Sequence, residues 1–173
     1  MKLFKKTLKV NSKGEKPTYI NITGEVKDAI KESEINEGIL HVISPHTTCA
    51  VFFEEFVHDI DDRGDEYLQL DLNDVLERII PKNTRIGQYN YPGEKHYEAV
   101  ESWPNASSYL PNGDRSALLN CDAHLKASLL GSSETFEITK NTLGVGSTGY
   151  VYFVDFDTTR KRERNVKLVL IGE

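Results

Sequence analysis

The sequence predicts an α+β protein, mainly antiparallel β-sheet or sandwich with a few helices, and three observations carry that prediction. Short β-branched and aromatic runs outnumber helical patterns. Turn and hairpin signals separate several of them. One stretch, Glu66 to Ile80, has a clean amphipathic helical period.

Phe4 to Val10 alternates apolar and polar residues and reads as the first strand. Asn11-Ser12-Lys13-Gly14 turns the chain, and Thr18 to Ile22 returns it. Thr23 is expected to cap a helix from about Gly24 to Ser33, whose Val26, Ala29 and Ile30 recur at helical spacing. Ile39 to Ile43 is a short apolar strand, broken off by Ser44-Pro45. Thr48 to Phe53 is apolar on both faces, as a buried strand is. Val57 to Asp65 is acidic and polar, a solvated stretch.

Leu68, Leu72, Val75, Leu76, Ile79 and Ile80 form the stripe of the long helix, and Pro81 stops it. Gln88 to Asp114 then holds three of the six prolines and the single tryptophan, Trp103. A connection of that length inside a compact domain is unusual and often functional, and short helical turns are expected within it. Asp122 to Leu130 reads as a short helix ended by Gly131. Thr135 to Thr139, Val151 to Phe156 and Val166 to Ile171 are expected strands. A hairpin turn at Asn141-Thr142 leads to a short strand near Leu143.

A chain of 173 residues fits one domain, here 1–173, and can bury a core without disulfides or metal. The formal charge of −6 argues against broad binding to nucleic acid or membrane surfaces, both polyanions. The run Arg160-Lys161-Arg162-Glu163-Arg164 is read as a solvated turn between strands. Cys49 and Cys121 form no CxxC or secreted-type framework and read as small buried hydrophobes in a reduced, cytoplasmic setting. No signal peptide and no membrane span are expected.

The chemistry concentrates in two segments. In Pro45-His46-Thr47-Thr48-Cys49 an imidazole and two hydroxyls sit at a strand end, where side chains can face a pocket. In Asn120-Cys121-Asp122-Ala123-His124-Leu125-Lys126, Asn120 or Asp122 can serve the free N–H groups of a helix start. His124 lies in the first turn of that helix. Helix N-termini attract anions, so His124, Lys126 and the threonines suggest a phosphate or carboxylate site. The plainer readings stay open: Asp122 as a helix cap only, Thr47 and Thr48 as strand formers. Three imidazoles with an open position would also suit zinc, although no HExxH is present. Gly144 to Gly149 is glycine-rich, but no helix pattern follows it, so it is not read as a phosphate loop.

Ser44-Pro45-His46-Thr47-Thr48, His96-Tyr97-Glu98, Asp122 to Ser133 and Tyr152 to Asp157, in this order, resemble the YjbQ-like family across most of the chain. The resemblance implies a small α+β fold, homotrimeric assembly, and in some members a metal among histidines. It also implies a weak, secondary thiamine-phosphate synthase activity. That transferase joins an aminopyrimidine diphosphate to a thiazole phosphate. Carried over, His46, His96 and His124 become the expected metal ligands, with zinc or else magnesium as the ion. His46, Thr47, Thr48, Asp122, His124 and Lys126 become catalytic candidates. Asn120, Thr48 and Lys126 are expected to hold the phosphorylated small molecule. The alternative is a metal- or ligand-binding protein without physiological catalysis. The chain departs from the family in a longer stretch, Tyr97 to Leu119, and in having Gly146-Ser147-Thr148-Gly149 where relatives carry a Trp-Gln pair.

Overall fold

The computed structural model describes residues 1–173. In chain order the elements are β1 (Lys2–Ser12), β2 (Thr18–Asn21), α1 (Thr23–Ser33), β3 (Glu37–Ile43), β4 (Cys49–Glu55), α2 (Tyr67–Ile79), α3 (Glu94–Glu101), α4 (Cys121–Leu130), β5 (Ser133–Thr139), β6 (Thr142–Leu143), β7 (Gly149–Asp155) and β8 (Arg162–Gly172). Every strand pairing is antiparallel. A five-stranded sheet has the order β1-β8-β3-β5-β6, and a three-stranded sheet the order β2-β7-β4. The expected α+β class, mainly antiparallel, is the one that forms.

The inner faces of the two sheets meet at Leu40, Val42, Val51, Phe153, Val166 and Leu168, all fully buried. Helix α1 closes this layer with Val26, Ala29 and Ile30. Each aliphatic side chain of this kind contributes about 1.5–3 kcal/mol when fully buried. A slip of one residue would turn the whole set outward, so the layer also fixes strand register. On the other face of the three-stranded sheet, Ala50, Phe52, Val154 and Phe156 carry α2 and α4 through Leu72, Leu76, Ala123 and Ala127. β4 is therefore covered on both sides, which is why its sequence is apolar on both faces.

Some local expectations are corrected. Thr23 does not cap α1: its hydroxyl accepts from the Val151 N–H at 2.8 Å, and the start of α1 is served by Asn21, whose Oδ1 accepts from the Thr23 N–H at 3.0 Å. In α2 only part of the apolar stripe is used. Leu72 and Leu76 face the sheet, while Leu68, Val75 and Ile79 stay exposed, Ile79 at 63%. The turn before β6 falls one residue early, with Lys140 and Asn141 at φ 52 and 56. Asn141 is held there because its Nδ2 donates to the carbonyls of Ile30 and Ile35, at 3.0 and 2.8 Å.

The 88–114 stretch contains α3 and two short 3-10 turns at Ala106–Ser108 and Pro111–Gly113, and a third follows at Arg115–Leu118. It packs around its own small cluster of Tyr97, Val100, Leu110 and Leu118. Arg115 bridges Glu94 and Glu101 on α3 at 2.9 and 2.7 Å. No helix is long and apolar enough to cross a membrane.

Candidate functional site

The site grows from the place where β3 stops. Pro45 has no N–H to continue a ladder, and the chain leaves the sheet at Ser44 to Thr48 before β4 begins. That detour, the start of α4 and the β7–β8 connection enclose a cavity of about 250 Å³ lined by Pro45, His46, Thr47, Thr48, Asn120, His124, Asp157, Arg162 and Arg164. A second concavity of about 370 Å³ shares His46 and Thr47 and continues over Cys49, Ala127, Ser128, Gly131 and Ser132. The first is strongly polar. The second mixes hydroxyls with small apolar groups.

Two arginine–aspartate pairs build the polar wall. Arg164 donates to both carboxylate oxygens of the fully buried Asp155, at 2.7 and 3.1 Å, and to the Thr48 hydroxyl at 3.0 Å. Arg162 donates to Asp157 Oδ2 at 2.6 Å. The same oxygen accepts from Asn120 Nδ2 at 3.0 Å, and Oδ1 accepts from the Thr159 N–H and hydroxyl at 2.9 and 2.6 Å. Burial opposes ionisation of Asp157, but the Thr159 hydroxyl, Arg162 and Asn120 outweigh it and hold the carboxyl below its usual range. The Nε of Arg162 is buried without an acceptor. A guanidinium donor in that state costs free energy until something accepts from it.

The basic run read as a solvated turn is thus corrected. β8 starts at Arg162, four residues before the expected Val166, and Arg162 and Arg164 turn into the site on alternate positions while Glu163 faces out. Buried arginines look like surface in a sequence. Their partners, Asp155 inside the expected strand Val151 to Phe156 and Asp157 just past its end, give no local sign that they receive arginines.

His46 accepts the Asn165 N–H at Nε2, 2.9 Å away. A backbone N–H only donates, so Nε2 bears the lone pair and the neutral ring carries its proton on Nδ1. Burial, followed by the Arg164 charge, pushes His46 below the ordinary imidazole range. Burial also lowers His124, against the opposing pull of Asp157 and of the Thr47 carbonyl beside the ring. Both rings are neutral near pH 7. His46 offers N–H; His124 keeps a nitrogen able to take a proton.

The other expected residues are placed as follows. Thr47 is exposed and lines both concavities; Thr48 is buried and bound to Arg164. Asn120 turns its amide to Asp157, and neither it nor Asp122 makes a side-chain cap on α4. Lys126 does not reach the cavity. It is 2% exposed and bound between Glu77 of α2 and Asp122, so both of these residues tie α4 to α2. His96 lies beyond Tyr91: the Tyr91 hydroxyl is 3.1 Å from His96 Nε2, and the same ring meets His124 edge-on with centroids 5.5 Å apart. Tyr91, which sequence reading passed over, packs against both imidazoles. Burial and Asp155 push the Cys49 thiol up to about 12, so it is an inert buried side chain.

The three histidines therefore do not form a ligand set within one chain, and no three His, Cys, Asp or Glu side chains converge as a metal would require. His46 fits a ligand role poorly in this geometry, since its lone pair is already engaged by Asn165. The side chains that line the cavity, two arginines, two histidines, two threonines and an amide against one aspartate, are mostly hydrogen-bond donors and suit an oxyanion better than a metal.

The sequence model described as UPF0047 protein YjbQ-like matches residues 6–173. A UPF0047 protein, MJ1081, of Methanocaldococcus jannaschii is 29% identical over 96% of this chain and 94% of its own. The UPF0047 protein YugU of Bacillus subtilis is 23% identical over 95% and 98%. Among solved structures, an uncharacterised conserved protein of Clostridium acetobutylicum is 29% identical, covering 97% of this chain and 99% of its own, with a TM-score of 0.63. A protein of unknown function from Sulfolobus solfataricus P2 shares the fold at a TM-score of 0.67 with 22% identity, over 99% of both chains.

Proposed function

The chain belongs to the YjbQ-like UPF0047 family, and from its site we propose that it binds a phosphorylated small molecule and carries a weak, secondary thiamine-phosphate synthase activity. The single observation that carries the reading is the buried, acceptorless Nε of Arg162 in a cavity that also presents His46, Thr47 and His124. A phosphate or diphosphate oxygen satisfies that donor. The adjoining concavity over Cys49, Ala127 and Gly131 suits the organic body of the same ligand.

In the proposed reaction a thiazole-phosphate nitrogen bonds to the methylene carbon of an aminopyrimidine diphosphate. The carbon–oxygen bond breaks and diphosphate leaves with the electron pair. Charge therefore grows on the leaving oxygens, where fixed donors are most effective. Arg162 and the His46 Nδ1–H supply such donors. His124, neutral near pH 7, can take or return a proton. Thr47 and Asn120 orient oxygens, and Asp155 and Asp157 hold the arginines in place.

The test is calorimetric titration with inorganic diphosphate and a diphosphate-release assay on the two substrates. Arg162→Gln should weaken diphosphate binding about tenfold or more, the cost of one charge-assisted bond of roughly 1.5–3 kcal/mol. His124→Asn should lower turnover more than binding. Unchanged diphosphate affinity in folded Arg162→Gln would overturn the site. Binding without turnover in wild type would leave a ligand-binding protein without physiological catalysis.

We propose homotrimeric assembly as well. Val75 and Ile79 on α2, with Leu125 and Leu129 on α4, form exposed apolar pairs one turn apart that a monomer has no use for. A monomeric mass by light scattering at micromolar concentration would remove this proposal and leave the cavity untouched.

A further inference from the structure

The connection that leads into α3 reaches the phosphate-binding cavity without lining it. Tyr91, just before that helix, touches α4 in two places. Its ring meets the His124 imidazole edge-on, with centroids 5.5 Å apart and planes at 84°. Its main-chain N–H serves the Cys121 thiol, one turn earlier than His124 on the same helix. A third contact holds the ring itself. The Tyr91 hydroxyl is 3.1 Å from His96 Nε2, and the two rings pack with centroids 4.8 Å apart. His96 belongs to α3, which Arg115 clamps through Glu94 and Glu101 and which its own apolar cluster backs. Tyr91 is therefore fixed by α3 and α4 together, although 37% of it is exposed.

His124 needs such a brace. A neutral imidazole has one nitrogen that donates and one that accepts, and turning the ring exchanges what it shows to a ligand. The Thr47 carbonyl beside the ring takes one N–H, which leaves the lone pair on the other nitrogen. That contact does not hold the side chain alone, because Thr47 is exposed and sits on the detour between β3 and β4. The Tyr91 ring supplies the second point of contact. An edge-on aromatic pair shifts a rotamer population by roughly two- to tenfold.

We infer that Tyr91 is a positioning residue: it holds the His124 imidazole in the orientation that keeps one N–H on Thr47 and the free nitrogen for the ligand, and His96 seats Tyr91 for that task. This role rests on the reading of His124 as the group that moves a proton in the phosphate-binding cavity. His96, which does not line that cavity, then contributes to its chemistry at one remove. The 88–114 connection gains a use as well. Stiffened by its own core, it is a rigid support for one side chain. Rates fall steeply when a reacting group leaves its productive geometry, on the order of a hundredfold for a displacement of about 1 Å. A ring that leaves only part of the time costs less, about tenfold.

The experiment compares the intact protein with Tyr91→Leu, which removes the ring and keeps an apolar side chain. In the diphosphate-release assay kcat should fall about tenfold, with KM and the calorimetric affinity for inorganic diphosphate within about twofold of wild type. A general folding defect would lower binding too. Tyr91→Phe keeps the ring and should restore at least about half of kcat. Long-range proton–nitrogen spectra of the histidine rings, taken at about pH 8 where His124 is neutral, need no turnover. Wild type should show a single His124 tautomer and cross-relaxation between the Tyr91 and His124 rings. In Tyr91→Leu the ring leaves Thr47 and the two tautomers should average. If Tyr91→Leu does not fold, His96→Ala, which only unseats the hydroxyl, should give the same averaging in smaller measure. Wild type that binds diphosphate without turnover would end the synthase reading, and the tautomer spectra would still decide the role of Tyr91. A single, unchanged His124 tautomer in the folded variants would overturn it.

Discussion

At the Asp155 end of the β4–β7 pair, both oxygens of each buried carboxylate have donors. Asp155 is clasped by Arg164 and accepts the Asp157 N–H; Asp157 is served by Arg162, Asn120 and Thr159. At the Glu54 end the carboxylates face phenols, the Gln69 amide and each other, with no cation among them. The two ends belong to the same pair of strands, yet they solve the cost of buried charge in opposite ways. One supplies counter-charge and holds Asp157 below the usual carboxylate range. The other withholds it and keeps one carboxyl protonated to about pH 7. The paired end holds its charge in place; the other end sets a carboxyl to titrate close to neutral pH.

The largest test of this contrast is Arg164→Ala. It strands Asp155 without its guanidinium, and removing one partner of a buried pair costs about 3–5 kcal/mol. Urea unfolding at neutral pH measures it, and a loss under about 1 kcal/mol would mean that the pair is not structural.

Next comes pH. Asp157 is depressed in the folded state, so its contribution is present above the ordinary carboxylate value and is lost as pH falls through the folded one. Glu54 runs the other way. The folded chain holds its proton between 4.5 and about 7 while the unfolded chain releases it. That contribution is complete below 4.5 and is lost as pH rises through about 7. Glu54→Gln should flatten only the upper limb of the stability profile. An upper limb identical in variant and wild type would erase the distinction between the two ends.

The smallest expected effect is Gln69→Met, nearly isosteric and without an orphaned donor. It should leave stability unchanged or raise it by up to about 1 kcal/mol, read from the same urea midpoints. A clear loss would show that the amide is already satisfied.

Much of the fold was legible because most elements bury one consistent apolar face. α1, β4 and β7 lie close to where their patterns place them, and Gly131 ends α4 as expected. What escaped was burial that does not look apolar. Arg162 and Arg164 extend β8 by four residues because aspartates receive them, and polarity alone cannot distinguish a neutralised arginine from a solvated one. The reverse error occurs in α2, where Val75 and Ile79 belong to a perfect stripe and still face outward. Within the site, His46, Thr47, Thr48, Asn120 and His124 were accessible from two short segments. Lys126 looked like a ligand because nothing local announces Glu77, remote in sequence. Tyr91 and Gln69 carried no signal at all.

The bond from the Asn165 N–H to His46 has a consequence for mutagenesis. β3 and β8 pair as far as Ile43↔Lys167, and the next hydrogen-bonded position would set Asn165 opposite Pro45, where the strand has already departed. The imidazole stands in for the missing carbonyl and supplies the last rung of that ladder. Truncating the ring thus frays a sheet as well as emptying a cavity, so an alanine variant conflates architecture with chemistry. Glutamine, which retains an acceptor at comparable reach, is the replacement that separates them.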